Sequence, residues 1–151
     1  MQDKLEKAKN YVFLLLKFRP RSEQEIRQRL KLKKFDPQII SQTISSLKDK
    51  DFINDSYFAG AWIDARLKRP LGLRRIRQEL RLKGIANDII NEKIEQAKAS
   101  YCEEETVKRL IQQRFRTLKD VEPKVAKARI FSYLMRRGFS PDAVIEAMSQ
   151  L

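Results

Sequence analysis

Two stretches of this chain superpose at a period of about 50 residues. One is Ile26-Arg27-Gln28-Arg29-Leu30-Lys31-Leu32-Lys33-Lys34-Phe35, the other Ile76-Arg77-Gln78-Glu79-Leu80-Arg81-Leu82-Lys83-Gly84-Ile85. The register continues downstream, where Ile39, Ile40 and Ile44 fall on Ile89, Ile90 and Ile94. A third copy is more diverged and keeps Ile130, Leu134, Arg137, Gly138, Phe139, Val144 and Met148 at the matching places. Chance resemblance between helical segments does not preserve the gap between two different helices. The 151 residues therefore divide into three repeats, 1–50, 51–100 and 101–151, with joints near 50–54 and 97–103 where the apolar periodicity weakens.

The physics of one repeat can be read from its spacing. Ile76 and Leu80 are four apart, share a helix face and point to a core. Gly84 follows as a C-terminal stop, where a left-handed backbone is cheap for glycine. Lys34 stands there in the first copy and must tolerate or avoid that conformation. An apolar plug comes next (Phe35, Ile85, Phe139), then a new helix. Asp36-Pro37 and Ser140-Pro141 read as an N-cap followed by proline at the first helical position, and Asn87 takes the capping part in the middle copy. Ser22 with Glu25 reads as a capping box, and Asn54 or Asp55 can cap the helix ahead of the middle pair. Each pair is preceded by another helix, over 4–18, 55–67 and 104–118. With only 4 Gly and 5 Pro, and no alternating run that argues for a sheet, the expected fold is all-α: three tandem three-helix repeats, stacked into an elongated, curved array.

Charge narrows the function. Lys and Arg number 33 against 20 Asp and Glu, a formal +13, which draws a chain toward nucleic acid, anionic membrane or an acidic protein surface. There is no His and one Cys, so no imidazole base, no Ser-His or Cys-His pair and no multi-Cys zinc site can form. Glu103, Glu104 and Glu105 are consecutive and fan around a helix. Asp49, Asp51 and Asp55 lack the spacing of a calcium loop, and no glycine-rich phosphate loop is present. No catalytic residue, metal site or cofactor is expected. The longest apolar stretch, from Tyr11 to Leu16, is far shorter than the roughly 20 residues of a membrane span, so the expectation is a cytoplasmic protein.

The positive charge is concentrated. Arg66, Lys68, Arg69, Arg74, Arg75, Arg77, Arg81 and Lys83 face the single acid Glu79, which can reach Arg75 and Lys83 on a helix. Arg74, Arg77 and Arg81, at spacings of three and four, form one stripe away from Ile76 and Leu80. Like charges at such spacings repel by a few tenths of a kcal/mol per pair, a cost that an external anion offsets. Arg27, Lys31 and Lys34 repeat the idea in the first copy, and Arg129, Arg136 and Arg137 in the third. Lys68-Arg69-Pro70-Leu71-Gly72 is a basic turn between two helices. A helix-turn-helix reader enters a major groove in a similar way, but base reading needs Asn or Gln beside Arg, and Gln78 alone is placed for it. Tyr57, Phe58 and Trp62, with Tyr11, Phe13, Phe18, Phe131 and Tyr133, read as core packing in preference to base-stacking platforms.

Asn54-Asp55, Phe58-Ala59, Arg66, Gly72, Ile76, Glu79-Leu80 and Lys83-Gly84-Ile85 together resemble the central repeat of the RecX regulatory proteins. Arg21-Ser22, Glu25-Ile26 and Leu30 in the first copy, and Arg137-Gly138-Phe139 in the third, are similar to the same family. The departures are Lys34-Phe35, where the family often has glycine first, and Asn54, where an acid is common. The resemblance implies a cytoplasmic bacterial protein whose partner is the RecA filament on single-stranded DNA, and a monomer is expected. It implies inhibition of filament assembly, ATP hydrolysis, strand exchange and co-protease activity, with consequences for recombinational repair and the SOS response. Direct contact with single-stranded DNA would be weak or filament-associated. The alternative from charge alone is a sequence-tolerant DNA-binding protein that acts without RecA. In either case Arg66, Lys68, Arg69, Arg74, Arg75, Arg77, Arg81, Lys83, Arg136 and Arg137 are the expected contact residues.

Overall fold

The computed structural model describes residues 2–151. Among them lie nine helices and no strand: α1 (Gln2–Phe18), α2 (Glu23–Leu32), α3 (Pro37–Asp49), α4 (Asp55–Leu67), α5 (Leu73–Leu82), α6 (Asn87–Lys98), α7 (Glu103–Thr117), α8 (Pro123–Arg136) and α9 (Pro141–Ser149). The first helix of each repeat falls where the pattern puts it, to within two residues at either end. Three three-helix repeats follow one another along the chain.

The repeats share one stop signal. Phe35, Ile85 and Phe139 each donate a backbone N–H to the carbonyl five residues back, on Leu30, Leu80 and Leu134 respectively. Lys34, Gly84 and Gly138 each donate to the carbonyl three back. This is the Schellman arrangement, in which the residue at the stop adopts a left-handed backbone and an apolar side chain follows it inward. The φ angles agree: 66° at Lys34, 80° at Gly84 and 85° at Gly138. Lys34 tolerates the left-handed conformation at a cost of about 1–2 kcal/mol.

By compactness the chain divides into two units, and the division passes through α4, α5 and α6. The first comprises the residues up to Trp62 together with Leu80–Lys93. Its core joins Ala8 and Val12 of α1, Ile26 and Leu30 of α2, and Ile39, Ile40, Ile44 and Leu47 of α3, closed by Ile53. Each buried Leu or Ile stabilises by about 1.5–3 kcal/mol. Ser22 is fully buried and completes the capping box: its Oγ accepts from Glu25 N–H, and its own N–H donates to Glu25 Oε1, both at 3.2 Å. The Ser22 hydroxyl hydrogen is then spent on the Lys83 carbonyl at 2.7 Å. Gln24 Nε2 donates to the Leu82 carbonyl at 3.4 Å, and a Cβ on Gly84 would collide with the Gln24 side chain. The C-terminal end of α5 is thus seated on the N-terminal end of α2.

The second unit comprises Ile63–Glu79 with Ile94–Leu151. Val107, Leu110 and Ile111 of α7 pack with Ile130 and Leu134 of α8, the plug Phe139, and Val144 and Ala147 of α9. A similar seat recurs here. Gly72 N–H donates to the Arg137 carbonyl at 2.8 Å, and Arg74 N–H to the Gly138 carbonyl at 3.2 Å. A Cβ on Gly72 would collide with the Gly138 and Phe139 backbone, and one on Gly138 with the backbone and Cβ of Arg75. Neither glycine has a flexible neighbour that can move aside.

Several local expectations need correction. Asn87 is the first residue of α6, not its cap: the Ala86 carbonyl accepts from Ile90 N–H at 3.0 Å. Asp36 and Ser140 hold the N-cap positions of α3 and α9, with proline next, but neither side chain makes a capping hydrogen bond. There the extended cap residue and proline's preset φ start the helix. Asn54 caps α4 through Tyr57 N–H at 3.0 Å, while Asp55 accepts from Glu23 N–H at 2.8 Å and so serves α2. Of the aromatics, Phe58 is buried, and Tyr11, Trp62 and Tyr133 are half-buried. Phe13, Phe18, Tyr57 and Phe131 are exposed, with Phe18 at 78%, because they lie beside the buried stripe or, for Phe18, on the last turn of α1.

Two stability predictions follow from these ends. Gly138→Ala will destabilise by more than about 2 kcal/mol, a left-handed alanine plus a displaced backbone, whereas Gly60→Ala, inside α4 with its nearest neighbour at 3.9 Å, will be neutral or stabilise by up to about 1 kcal/mol; urea unfolding measures both. Glu25 supplies the second. Burial alone would raise its carboxyl, but the Arg19 guanidinium, the Ser22 N–H and the Lys83 ammonium outweigh it and lower the pKa to about 2. Because the folded value lies below the unfolded one, this stabilisation is complete above about pH 5 and disappears as pH falls through 2. Glu25→Gln should therefore cost about 1–2 kcal/mol at pH 7 after allowance for solvent screening, and the difference from the parent chain should shrink toward pH 2.

Candidate partner-binding surface

The basic turn 68–72 links α4 to α5, and its shape is set by what it rests on. Besides the two backbone hydrogen bonds to Arg137 and Gly138, the Pro70 carbonyl accepts from Arg137 Nε at 3.0 Å. The Leu71 carbonyl accepts from the Tyr101 hydroxyl at 2.7 Å. Leu71 and Leu73 are buried. A loop carrying Lys68 and Arg69 is thereby fixed against the end of α8, which carries Arg136.

The ten expected contact residues separate into two groups. Glu79 takes the Arg66 guanidinium in a two-pronged pair, to Nε at 2.9 Å and to the terminal nitrogen at 2.7 Å, and lies 3.6 Å from Arg75 Nε. Arg75 and Arg77 are half-buried. Arg137 is committed to Pro70, with its guanidinium 5.6 Å from the centre of the Tyr133 ring. Arg66, Arg75 and Arg137 thus hold structure. Lys68, Arg69, Arg74 and Arg136 are exposed, and among the described residues none of them makes an ion pair. They form the presented set of the second unit, drawn from two repeats.

Arg81 and Lys83 belong to the first unit. Arg81 is exposed on α5. Lys83 does not extend the Glu79 series as its spacing suggests, because α5 ends at Leu82 and the i, i+4 geometry stops with it. Its ammonium instead lies 3.2 Å from Glu25 and 5.1 Å from the centre of the Trp62 ring. The stripe Arg74–Arg77–Arg81 is real as a helix face, but only its two ends are exposed.

The presented cations can make ionic contacts with phosphates or carboxylates, and the clamped turn lowers the entropy cost of aligning them. Sequence spacing identifies these residues but not the separation between positioning and presented groups. Among the described residues no helix is long and apolar enough to cross a membrane.

Comparison with known proteins matches all three repeats. Residues 8–47 match the first three-helix domain of RecX, 54–94 the second and 103–148 the third. The regulatory protein RecX of Haemophilus influenzae (strain PittEE) is 30% identical over 144 residues, covering 95% of this chain and 93% of the relative. That of Bacillus subtilis (strain 168) is 32% identical over 150 residues, 99% of this chain and 56% of a longer relative. The crystal structure of RecX from Lactobacillus salivarius shares the fold, with a TM-score of 0.86 at 22% identity over 100% of this chain and 98% of that one. On its three matched domains and its full-length relatives, the chain belongs to the RecX family of regulatory proteins.

Proposed function

We propose that this protein binds the RecA filament on single-stranded DNA and restrains its ATP hydrolysis, strand exchange and co-protease activity. Through these it tempers recombinational repair and the SOS response. It acts in the cytoplasm as a monomer, with the repeats 1–50, 51–100 and 101–151 as its working segments. The observation that supports this reading most is the clamped basic turn of a RecX-family chain, with Lys68, Arg69 and Arg74 presented beside Arg136. A filament of protein and DNA offers both carboxylates and phosphates to such a surface. Arg81 adds a contact from the first unit. Arg66, Arg75, Arg77, Lys83 and Arg137 act by positioning. Contact with DNA itself is weak or occurs within the filament.

DNA-dependent ATP hydrolysis by RecA, measured while this protein is titrated, tests the proposal. Inhibition should set in at or below stoichiometric amounts, and its absence there would sink the reading. Arg69→Glu with Arg74→Glu should raise the half-inhibiting concentration by about tenfold or more, equivalent to about 1.4 kcal/mol, with the thermal midpoint unchanged. Arg66→Ala should instead lower stability by about 1–2 kcal/mol, since it removes the two-pronged pair with Glu79 and leaves only the longer Arg75 contact. If bare single-stranded DNA binds as tightly as the RecA-coated strand, with a steep salt dependence, a sequence-tolerant DNA-binding protein acting without RecA replaces this proposal.

A further inference from the structure

A groove of about 740 Å³ lies along α7 and α8 in the second unit. Its charged lining is wholly basic: Arg114 from α7, and Lys124, Arg129 and Arg136 from α8. Among the described residues none of Lys124, Arg129 and Arg136 has an ion-pair or hydrogen-bond partner. Apart from Ser132, the uncharged lining is apolar or aromatic: Leu118, Val125, Ala128, Ile130 and Tyr133, and Val125 is 39% exposed. On α8 the positions 125, 129, 132 and 136 recur at spacings of four, three and four. One helix face therefore presents Val125, Arg129, Ser132 and Arg136 in sequence, an apolar contact beside two cations and a hydroxyl, while Ala126, Ile130 and Leu134 hold the core on another face.

We propose that this groove is a binding surface for an acidic protein segment that carries an apolar side chain. Two observations favour that occupant over nucleic acid. The aromatic ring in the groove is already taken: the Arg114 guanidinium lies 3.7 Å from the centre of the Tyr133 ring, and that of Arg137 lies 5.6 Å from it. A stacking nucleobase would have to displace them. The rest of the uncharged lining is aliphatic except for Ser132, so a phosphodiester backbone would satisfy the cations and leave those aliphatic groups in water. Carboxylates flanking a Leu or Phe satisfy both, in the manner of a hydrophobic anchor within a charged rim. The groove shares Arg136 with the basic turn but is otherwise distinct from it, and the proposal holds whether or not RecA is the partner.

Fluorescence anisotropy with a short labelled peptide of Asp and Glu containing two leucines provides the test. It is compared with the same peptide carrying Ser for Leu and with a labelled oligothymidylate of similar length. The full-length protein should bind the leucine-containing peptide saturably, and the Ser peptide about tenfold more weakly. Lys124→Glu with Arg129→Glu should weaken binding about tenfold or more, whereas Arg69→Glu with Arg74→Glu should change it by less than about twofold. Lys124 and Arg129 are exposed, so folding should survive the reversal; thermal unfolding checks this, and Val125→Asp tests the floor separately. The proposal is overturned by peptide binding that ignores the reversal or the loss of leucine, by no peptide binding at all, or by oligothymidylate binding as tightly and failing in the same variant. Concentration-dependent self-association abolished by the reversal would also overturn it, since the occupant would then be a second copy of this chain.

Discussion

Two helix ends that satisfy each other are the interaction on which the arrangement depends. A helix C-terminus leaves carbonyls without partners and an N-terminus leaves N–H groups without partners. In the second unit the carbonyls of Arg137 and Gly138 at the end of α8 accept from Gly72 and Arg74 at the start of α5. Opposite ends of two helix dipoles thereby meet. The contact requires backbone against backbone, so both Gly72 and Gly138 must lack a Cβ. In the first unit Ser22 caps α2 with its own side chain, so the α5 carbonyls are met by the Ser22 hydroxyl and the Gln24 amide instead. Ser22 and Gly72 occupy equivalent places in their repeats. One caps itself and the other is capped by its neighbour. Lys34 fits the same logic: its exposed stop has only the strain of a positive φ to bear.

The acids decide which cations remain available. Glu79 binds Arg66 and approaches Arg75, and Glu25 gathers Arg19, Lys83 and the Ser22 N–H. Each partly buried carboxylate thus converts two cations into structural groups and leaves others exposed. Beside these pairs, Lys68, Arg69 and Arg74 at the basic turn and Lys124, Arg129 and Arg136 on α8 remain without an ion pair among the described residues.

Local features of the fold were legible, and the division of labour among the charged residues was not. The repeat, the stops at Gly84 and Gly138, the plug residues and the Ser22–Glu25 box all involve residues within a turn or two of each other, where chemistry and spacing suffice. Arg66 meets Glu79 at a separation of 13 residues, Lys83 meets Glu25 at 58, and Arg137 meets the Pro70 carbonyl at 67. No periodicity announces such pairs. The exposed Phe13 and Phe18 show the same limit from the apolar side, since helical spacing places an aromatic on a face without saying that another element covers it. Arg114 and Lys124 escape a search for basic runs because the groove brings them together from different helices.

A property of the helix termini sets the two candidate surfaces apart from the rest of the charged exterior. Six of the nine described helices carry an acid in the first turn, as does α1 with Asp3, α2 with Glu23 and Glu25, and α7 with Glu103, Glu104 and Glu105. That placement stabilises the positive end of the dipole by about 0.3–1 kcal/mol, and it accounts for the three consecutive acids that open α7. Helices α5 and α8 reverse it. Neither has an acid in its first turn; Arg74 and Arg75 open α5 and Lys124 opens α8, while Glu122 at the N-cap of α8 makes no capping hydrogen bond. A cation at a helix start is disfavoured by the helix it stands on; at α5 the carbonyl end of α8 and the Glu79 carboxylate beside Arg75 offset that, whereas Lys124 has no ion pair among the described residues. At the start of α8, where neither compensation is present, a carboxylate bound in the proposed groove would offset the penalty at Lys124.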